Sequence, residues 1–162
     1  MRHVEIKLAE TEAHALGAHA VLRENVKQVG FVTRGNVLKK QEVGELVIAL
    51  VGEKVVGCIC YHLRRDRVAT IYEIAVSREG AGAGIGSTMI TWLARELAGR
   101  ARAIKLKCTA DNDRANEFYA RVGFQRVATV PGRRRALVIW RTELGGFLEK
   151  MGKENKNDGG SQ

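Results

Sequence analysis

Ile71-Tyr-Glu-Ile-Ala-Val-Ser-Arg-Glu-Gly-Ala-Gly-Ala-Gly-Ile-Gly-Ser-Thr-Met-Ile-Thr-Trp-Leu93 reads as a strand, a glycine-rich turn and an amphipathic helix. Ile71 to Val76 is apolar and β-branched, broken only by Glu73. Gly80, Gly82, Gly84 and Gly86 strip side chains from the turn. Ile85, Met89, Trp92, Leu93 and Leu97 then recur at helical spacing. A turn of this kind exposes backbone N–H groups at a helix start, where four donors lack intrahelical partners. The helix dipole adds roughly half a positive charge there. Together they suit a phosphate or pyrophosphate, so a phosphorylated cofactor is expected.

Two nucleotide motifs are absent. A P-loop needs Lys before its Ser or Thr, and Gly86 precedes Ser87. A dinucleotide fingerprint, G-x-G-x-x-G, would need Gly at Ser87 or at Ile85, depending on where it starts. The plainer alternative is a flexible linker between strand and helix.

A second segment weighs against that alternative. Ile104 to Thr109 alternates as a strand does. Asn112 to Val122 reads as a short helix closed by Gly123, and Phe124 to Val130 as another strand. Asn112 and Tyr119 stand seven apart, on one helix face. The two segments together resemble the GCN5-related N-acetyltransferase (GNAT) superfamily. Its acyl-CoA loop has the form [Q/R]-x-x-G-x-[G/A], and its second signature is N-x-x-A-x-x-x-Y-x-x-x-G-F. Asn112, Ala115, Tyr119, Gly123 and Phe124 match that second spacing, 26 residues beyond Gly86. The resemblance covers about residues 2 to 141.

Composition fits one enzyme-sized domain, expected over 1–145, with a polar C-terminal tail over 146–162 that is expected to be disordered. A chain of 162 residues buries about 70% of its unfolded surface. No run of about 18 apolar residues suggests a membrane helix, and the N-terminus has no signal-peptide pattern. Cys58, Cys60 and Cys108 fall in expected strands and read as reduced and buried, as in a cytoplasmic protein. Cys58-x-Cys60 has the wrong spacing for zinc, and no metal is expected.

Strands are expected at Val4–Leu8, Glu45–Val51, Val55–Arg64 and Arg67–Val76, with helices at Glu12–Val29 and Arg34–Val43 before the second strand. A last strand runs near Arg135 to Thr142. The resemblance implies an α/β acyl-CoA N-acyltransferase fold. Its mixed, mostly antiparallel sheet is flanked by helices and splayed between strands 4 and 5, where cofactor and acceptor meet.

The resemblance also implies site residues and a co-substrate, acetyl-CoA. Amides of Gly82, Ala83, Gly84, Ile85, Gly86 and Ser87 would hold the pyrophosphate. Ile74, Ala75 and Val76 would bond the thioester and pantetheine arm. Asn112 would contact the arm while capping its helix. Tyr119 would protonate the departing thiolate; packing in the core is its plainer role. Glu73 is the strand carboxylate left to act as base; a surface acid paired with an arginine is the alternative. An amine acceptor would attack directly in a ternary complex.

Three positions depart from the family pattern. Ala81 stands where the loop has Gln or Arg, so one side-chain contact to the phosphates is lost; Arg78, three residues earlier, is a candidate to compensate, with a solvated loop arginine as the plainer reading. Ribosomal-protein alanine acetyltransferases carry a glutamate five residues before the Asn; Lys107 stands there. Histone acetyltransferases carry one three residues before Glu73; Thr70 stands there. The acceptor is not named by these residues.

Net charge is +9, with Arg64, Arg65 and Arg67 in one turn and Arg133, Arg134 and Arg135 in another. In the family the second turn borders the acceptor groove, so Arg133, Arg134 and Arg135 are candidates to face an acidic acceptor or nucleic acid, while the negative charge of CoA is a blander use of a basic surface. The acceptor itself is expected to be an acidic small molecule or a peptide or protein amine. A solvated hairpin tip is the plainer alternative. Polyamines and aminoglycosides, which call for carboxylate clusters, are disfavoured. His62 reads as a packed or surface strand residue rather than a catalyst. A degenerate fold that binds nucleic acid or protein through its arginines is the competing function, no membrane is implicated, and a homodimer stays open.

Overall fold

The computed structural model describes residues 3–159, with 153–159 by backbone alone. Seven strands join in the order β1-β2-β3-β4-β5-β7-β6. They are β1 (Val4–Leu8), β2 (Leu46–Val51), β3 (Lys54–Leu63), β4 (Val68–Val76), β5 (Ala103–Thr109), β6 (Gln125–Val130) and β7 (Leu137–Glu143). The helices are α1 (Glu12–Glu24), α2 (Val26–Val29), α3 (Arg34–Glu42), α4 (Ile85–Glu96), α5 (Asp113–Val122) and α6 (Leu144–Gly159). Pairs β1–β2, β2–β3, β5–β7 and β6–β7 are antiparallel. β4 and β5 run parallel, and α4 makes the long crossover that a parallel pair needs. A mixed sheet flanked by helices is the fold class that the resemblance implies.

The chain forms two units. One contains the residues up to His62 together with Ile71–Leu93; the other contains Leu63–Thr70 and Ala94 onward. In the first, α1 and α3 bury Ala15, Ala18, Leu22 and Val37 against Ile48, Leu50, Cys58 and Cys60 of β2 and β3. Gly17 and Gly57 permit close packing: a Cβ on Gly17 would stand 2.7 Å from Val55, and one on Gly57 would stand 3.1 Å from Ile85 and Met89 of α4. Cys58 and Cys60 are buried and Cys108 half-buried, all as free thiols.

The helix expected over Glu12–Val29 breaks at Asn25. Its side-chain amide donates to Val21 O at 2.8 Å and to Val76 O, at the end of β4, at 3.1 Å. That second bond spans 51 residues, so no local periodicity reports it.

In the second unit Arg67 holds a left-handed φ of 67° at the turn into β4. Its guanidinium donates to Arg100 O at 3.1 Å and Gly99 O at 3.4 Å, past the end of α4. One arginine of the first basic turn is therefore engaged with backbone carbonyls. The stretch that reads as a tail from 146 continues as α6 to Gly159, while 160–162 lie outside the described residues. Leu144 and Phe147 are buried, and the Phe147 ring stands 6.3 Å from that of Phe124.

Candidate functional site

Each unit contributes its own group of candidate residues. In the first, the end of β4 is pinned from several sides. Ser77 N–H donates to Val56 O at 2.8 Å, and Arg78 N–H donates to Glu24 Oε2 at 3.2 Å. Ser77 Oγ then accepts from Gly80 N–H, closing a 3-10 turn over Arg78–Gly80. Ile74, Ala75 and Val76 are the last three residues of β4, with Ala75 buried among the core side chains.

The glycines that follow have separate tasks. Gly80 is buried, and a Cβ there would meet Ile85 at 2.8 Å and Val76 at 3.0 Å. Gly82 and Gly84 are exposed and take φ of 80° and 73°, a region that L side chains rarely adopt. Gly86 is the second residue of α4, not part of the left-handed turn. Gly84 O accepts from Ser87 Oγ at 3.0 Å, Thr88 Oγ1 at 2.9 Å and Thr88 N–H at 3.1 Å. Ile85, Gly86 and Ser87 are thus the first helical residues, whose amides an α-helix leaves without internal acceptors. Ala81 is exposed in extended backbone. Arg78, three residues before Ala81, is exposed, while Glu79 pairs with Lys54 at 2.6 Å.

Glu73 lies earlier on β4 and lines a cavity of about 500 Å³ with Val32, Val37, Lys40, Cys60, His62 and Tyr72 among its walls. Burial raises its carboxyl above the usual carboxylate range, and a hydrogen bond from Cys60 and the charge of Lys40 offset part of that rise. Burial in turn pushes the Cys60 thiol up to about 12, helped by Glu73, so it stays a thiol at neutral pH. Among the described residues the cation that acts on Glu73 is Lys40, not an arginine. Lys40 donates to Tyr61 O at 2.8 Å and Glu45 Oε1 at 3.4 Å, and lies 5.4 Å from the Tyr72 ring centre.

In the second unit Asn112 caps α5, its side-chain oxygen accepting from Ala115 N–H at 3.2 Å. Gly123 ends the helix in the left-handed region, φ 120°. Tyr119 is 8% exposed, its ring edge-on to Phe118 and Phe124 and 6.4 Å from that of Trp140. Its hydroxyl bonds no described residue. Since no sealed side-chain oxygen or nitrogen among those residues lacks a partner, that oxygen opens to a surface. Burial first, then the nearby Cys108, raises the phenol well above its ordinary value, so it remains a proton donor.

Sequence reasoning passed over Asn116. Its amide donates to Asn112 O at 2.9 Å and Thr109 O at 3.0 Å, while its oxygen accepts from Trp140 Nε1 at 2.8 Å. It ties α5 to β5 and β7. Its place one turn after the capping asparagine was the available signal. The arginine turn is exposed; Arg135 pairs with Asp111 at 3.1 Å, and Arg133 and Arg134 make no ion pair with a described residue. Lys107 is exposed on β5.

The sequence profile of the Acetyltransferase (GNAT) family matches residues 22–124. A mycothiol acetyltransferase of Kineococcus radiotolerans is 33% identical over 73 residues, 45% of this chain and 24% of that protein. The matches span 24% and 45% of the length of the curated relatives. Ard1 of Thermoplasma volcanium superposes with a TM-score of 0.76 at 18% identity, over 86% of this chain and 97% of that one. An aminoglycoside 6'-N-acetyltransferase complexed with coenzyme A gives 0.75 at 14% identity, over the same shares. At such identities the structural likenesses speak for the fold alone. The family profile covers well over half of the chain and includes both the glycine turn and the Asn112–Phe124 signature. The chain therefore belongs to the acetyltransferase (GNAT) family.

Proposed function

We propose that the chain is an N-acetyltransferase that moves the acetyl group of acetyl-CoA to an amine by direct attack. The observation that carries this is the loop after β4: Gly82 and Gly84 hold left-handed φ immediately before the α4 N-terminus, in a chain of the GNAT family. The coenzyme A complex of the aminoglycoside acetyltransferase, a neighbour in fold, supports the choice of co-substrate. The mycothiol acetyltransferase, a relative in sequence, supports the reaction type.

Amides of Gly82 to Ser87 take the pyrophosphate, where the helix dipole and unpaired donors favour an anion. With Ala81 in place of Gln or Arg, this grip is made by backbone. Amides at Ile74, Ala75 and Val76 bond the pantetheine arm and thioester oxygen, stabilising the oxyanion of the tetrahedral intermediate. Asn112 contributes to holding the arm. Glu73, with its raised carboxyl, accepts a proton from the attacking nitrogen. Tyr119, held protonated by burial, gives its proton to the departing thiolate. The cavity beside Glu73 takes the acceptor, and Val32, Val37 and Tyr72 on its wall suit an amine with an apolar neighbour. Arg133, Arg134 and Arg135 are the candidates for an acidic portion of that acceptor.

A CoA-release assay over phenethylamine, glycinamide and alanyl and seryl tripeptides tests the proposal. Release that needs both acetyl-CoA and an amine is expected. Acetyl-CoA binding without release to any amine would instead favour a binding module.

A further inference from the structure

The cavity beside Glu73 holds a second base, and we infer that His62, oriented by Glu45, takes the ammonium proton of the acceptor and passes it to solvent. The inference rests on the proposed transfer to an amine in this pocket.

Glu45 presents both carboxylate oxygens to the imidazole, with Oε2 2.9 Å and Oε1 3.0 Å from Nδ1. A carboxylate only accepts, so in the neutral ring Nδ1 carries the hydrogen and Nε2 keeps its lone pair. Nε2 bonds no described residue. The Glu45 side chain is largely buried, 16% exposed, and Lys40 also holds its Oε1, at 3.4 Å. The orienting carboxylate is therefore itself fixed. The His62 side chain is 50% exposed while also lining the cavity, so one ring meets both the acceptor space and water.

Proton accounting asks for such a group. An ammonium acceptor loses two protons in becoming an amide, and the CoA thiolate consumes one. His62 accepts the first, R–NH3+ becoming R–NH2. The free amine forms the C–N bond to the thioester carbon. Glu73 accepts the second proton as the tetrahedral intermediate collapses and the C–S bond breaks. Tyr119 protonates the thiolate and regains a proton from solvent, to which Glu73 releases the one it took. One net proton leaves, and His62 is the base on this cavity with a face in water. The other ionisable groups around the cavity are Lys39 and Lys40 of α3, Cys60 of β3 and Tyr72 of β4, with Glu45 ahead of β2. Lys40 is engaged by Tyr61 O and Glu45, and Cys60 is held as a thiol.

The test uses His62→Ala and His62→Gln on the full chain, with the amine that gives the highest wild-type rate among phenethylamine, glycinamide and the alanyl and seryl tripeptides. The half-exposed ring makes loss of fold unexpected, and circular dichroism checks it. Gln keeps a donor toward Glu45 but has no base. Both variants should lose about 10²-fold or more in kcat, with acetyl-CoA affinity unchanged. Added imidazole should restore part of the His62→Ala rate. Wild-type kcat in either variant, or no response to imidazole, overturns the inference and leaves the proposed acetyl transfer intact. No CoA release by the wild type with any of these amines overturns the proposed function, and the inference with it.

Discussion

Glu73 and Tyr119 are both shifted by burial, in the direction that suits opposite tasks. The folded chain binds a proton at Glu73 more tightly than an unfolded chain would, because the half-buried carboxylate is poorly solvated. At neutral pH the charged form therefore costs stability, and that cost disappears as pH falls through the raised value. With Glu73 as the proposed base, activity runs the other way, since a base works as the carboxylate. Glu73→Gln should raise Tm at pH 7, the gain shrinking toward acid pH, while kcat falls by about 10² to 10⁴. Thermal melts and rates across pH check both; a variant that loses stability with unchanged rate makes Glu73 structural. Tyr119→Phe should lower kcat and leave acetyl-CoA affinity near wild type. Because the phenol is held well above its ordinary value, the deficit should be constant from neutral to mildly alkaline pH. If kcat is unaffected, water or the acceptor protonates the thiolate. Both residues were legible as candidates through the family resemblance, Tyr119 by its place in the second signature and Glu73 as the carboxylate left on the strand. Their environments were not: Cys60 and Lys40 come to Glu73 from a neighbouring strand and a helix, and sequence distance hides such contacts.

At the scale of elements, the glycine loop was readable as a unit but not in its division of labour. Gly80 serves packing, Gly82 and Gly84 serve backbone conformation, and only the side-chain contacts and φ values separate them. Gly80→Ala should lower stability through its clash with Ile85 and Val76. Gly84→Val forces a β-branched residue to left-handed φ, about 1–2 kcal/mol of strain, and should weaken acetyl-CoA binding in a folded protein. Calorimetry beside urea unfolding distinguishes the two outcomes. Asn116→Leu should cost about 1–3 kcal/mol, because Trp140 Nε1 and several carbonyls lose their partner at once; urea unfolding measures it. The strands were legible within a residue or two, since alternation and β-branching mark them directly. The break at Asn25 and the helix beyond 146 were not. A tertiary hydrogen bond makes the first, and Leu144 and Phe147 anchor the second amid glycines and polar residues.

For the whole molecule, the GNAT family and its mixed, helix-flanked sheet followed from two motifs in sequence, while the order of strands within the sheet did not, and the +9 charge left several partners open. Arg67 bonds backbone carbonyls, Arg64 and Arg65 beside it are exposed, and the exposed Arg133–Arg135 turn is the basic feature that the family resemblance sets beside the acceptor. Replacing those three with Ser should change stability by less than about 1 kcal/mol, since the Arg135–Asp111 pair is exposed. If they read an acidic acceptor, its KM should rise and its salt dependence flatten, with acetyl-CoA affinity nearly unchanged. If neither constant moves, the turn is a solvated tip. The central claim is that the loop after β4 binds acetyl-CoA through its backbone. Calorimetric titration of acetyl-CoA into wild type and Gly84→Val tests it most directly. Saturable one-site binding by the wild type, weakened in the folded variant, is the predicted result. No heat at millimolar ligand, or equal affinity in both proteins, would contradict it.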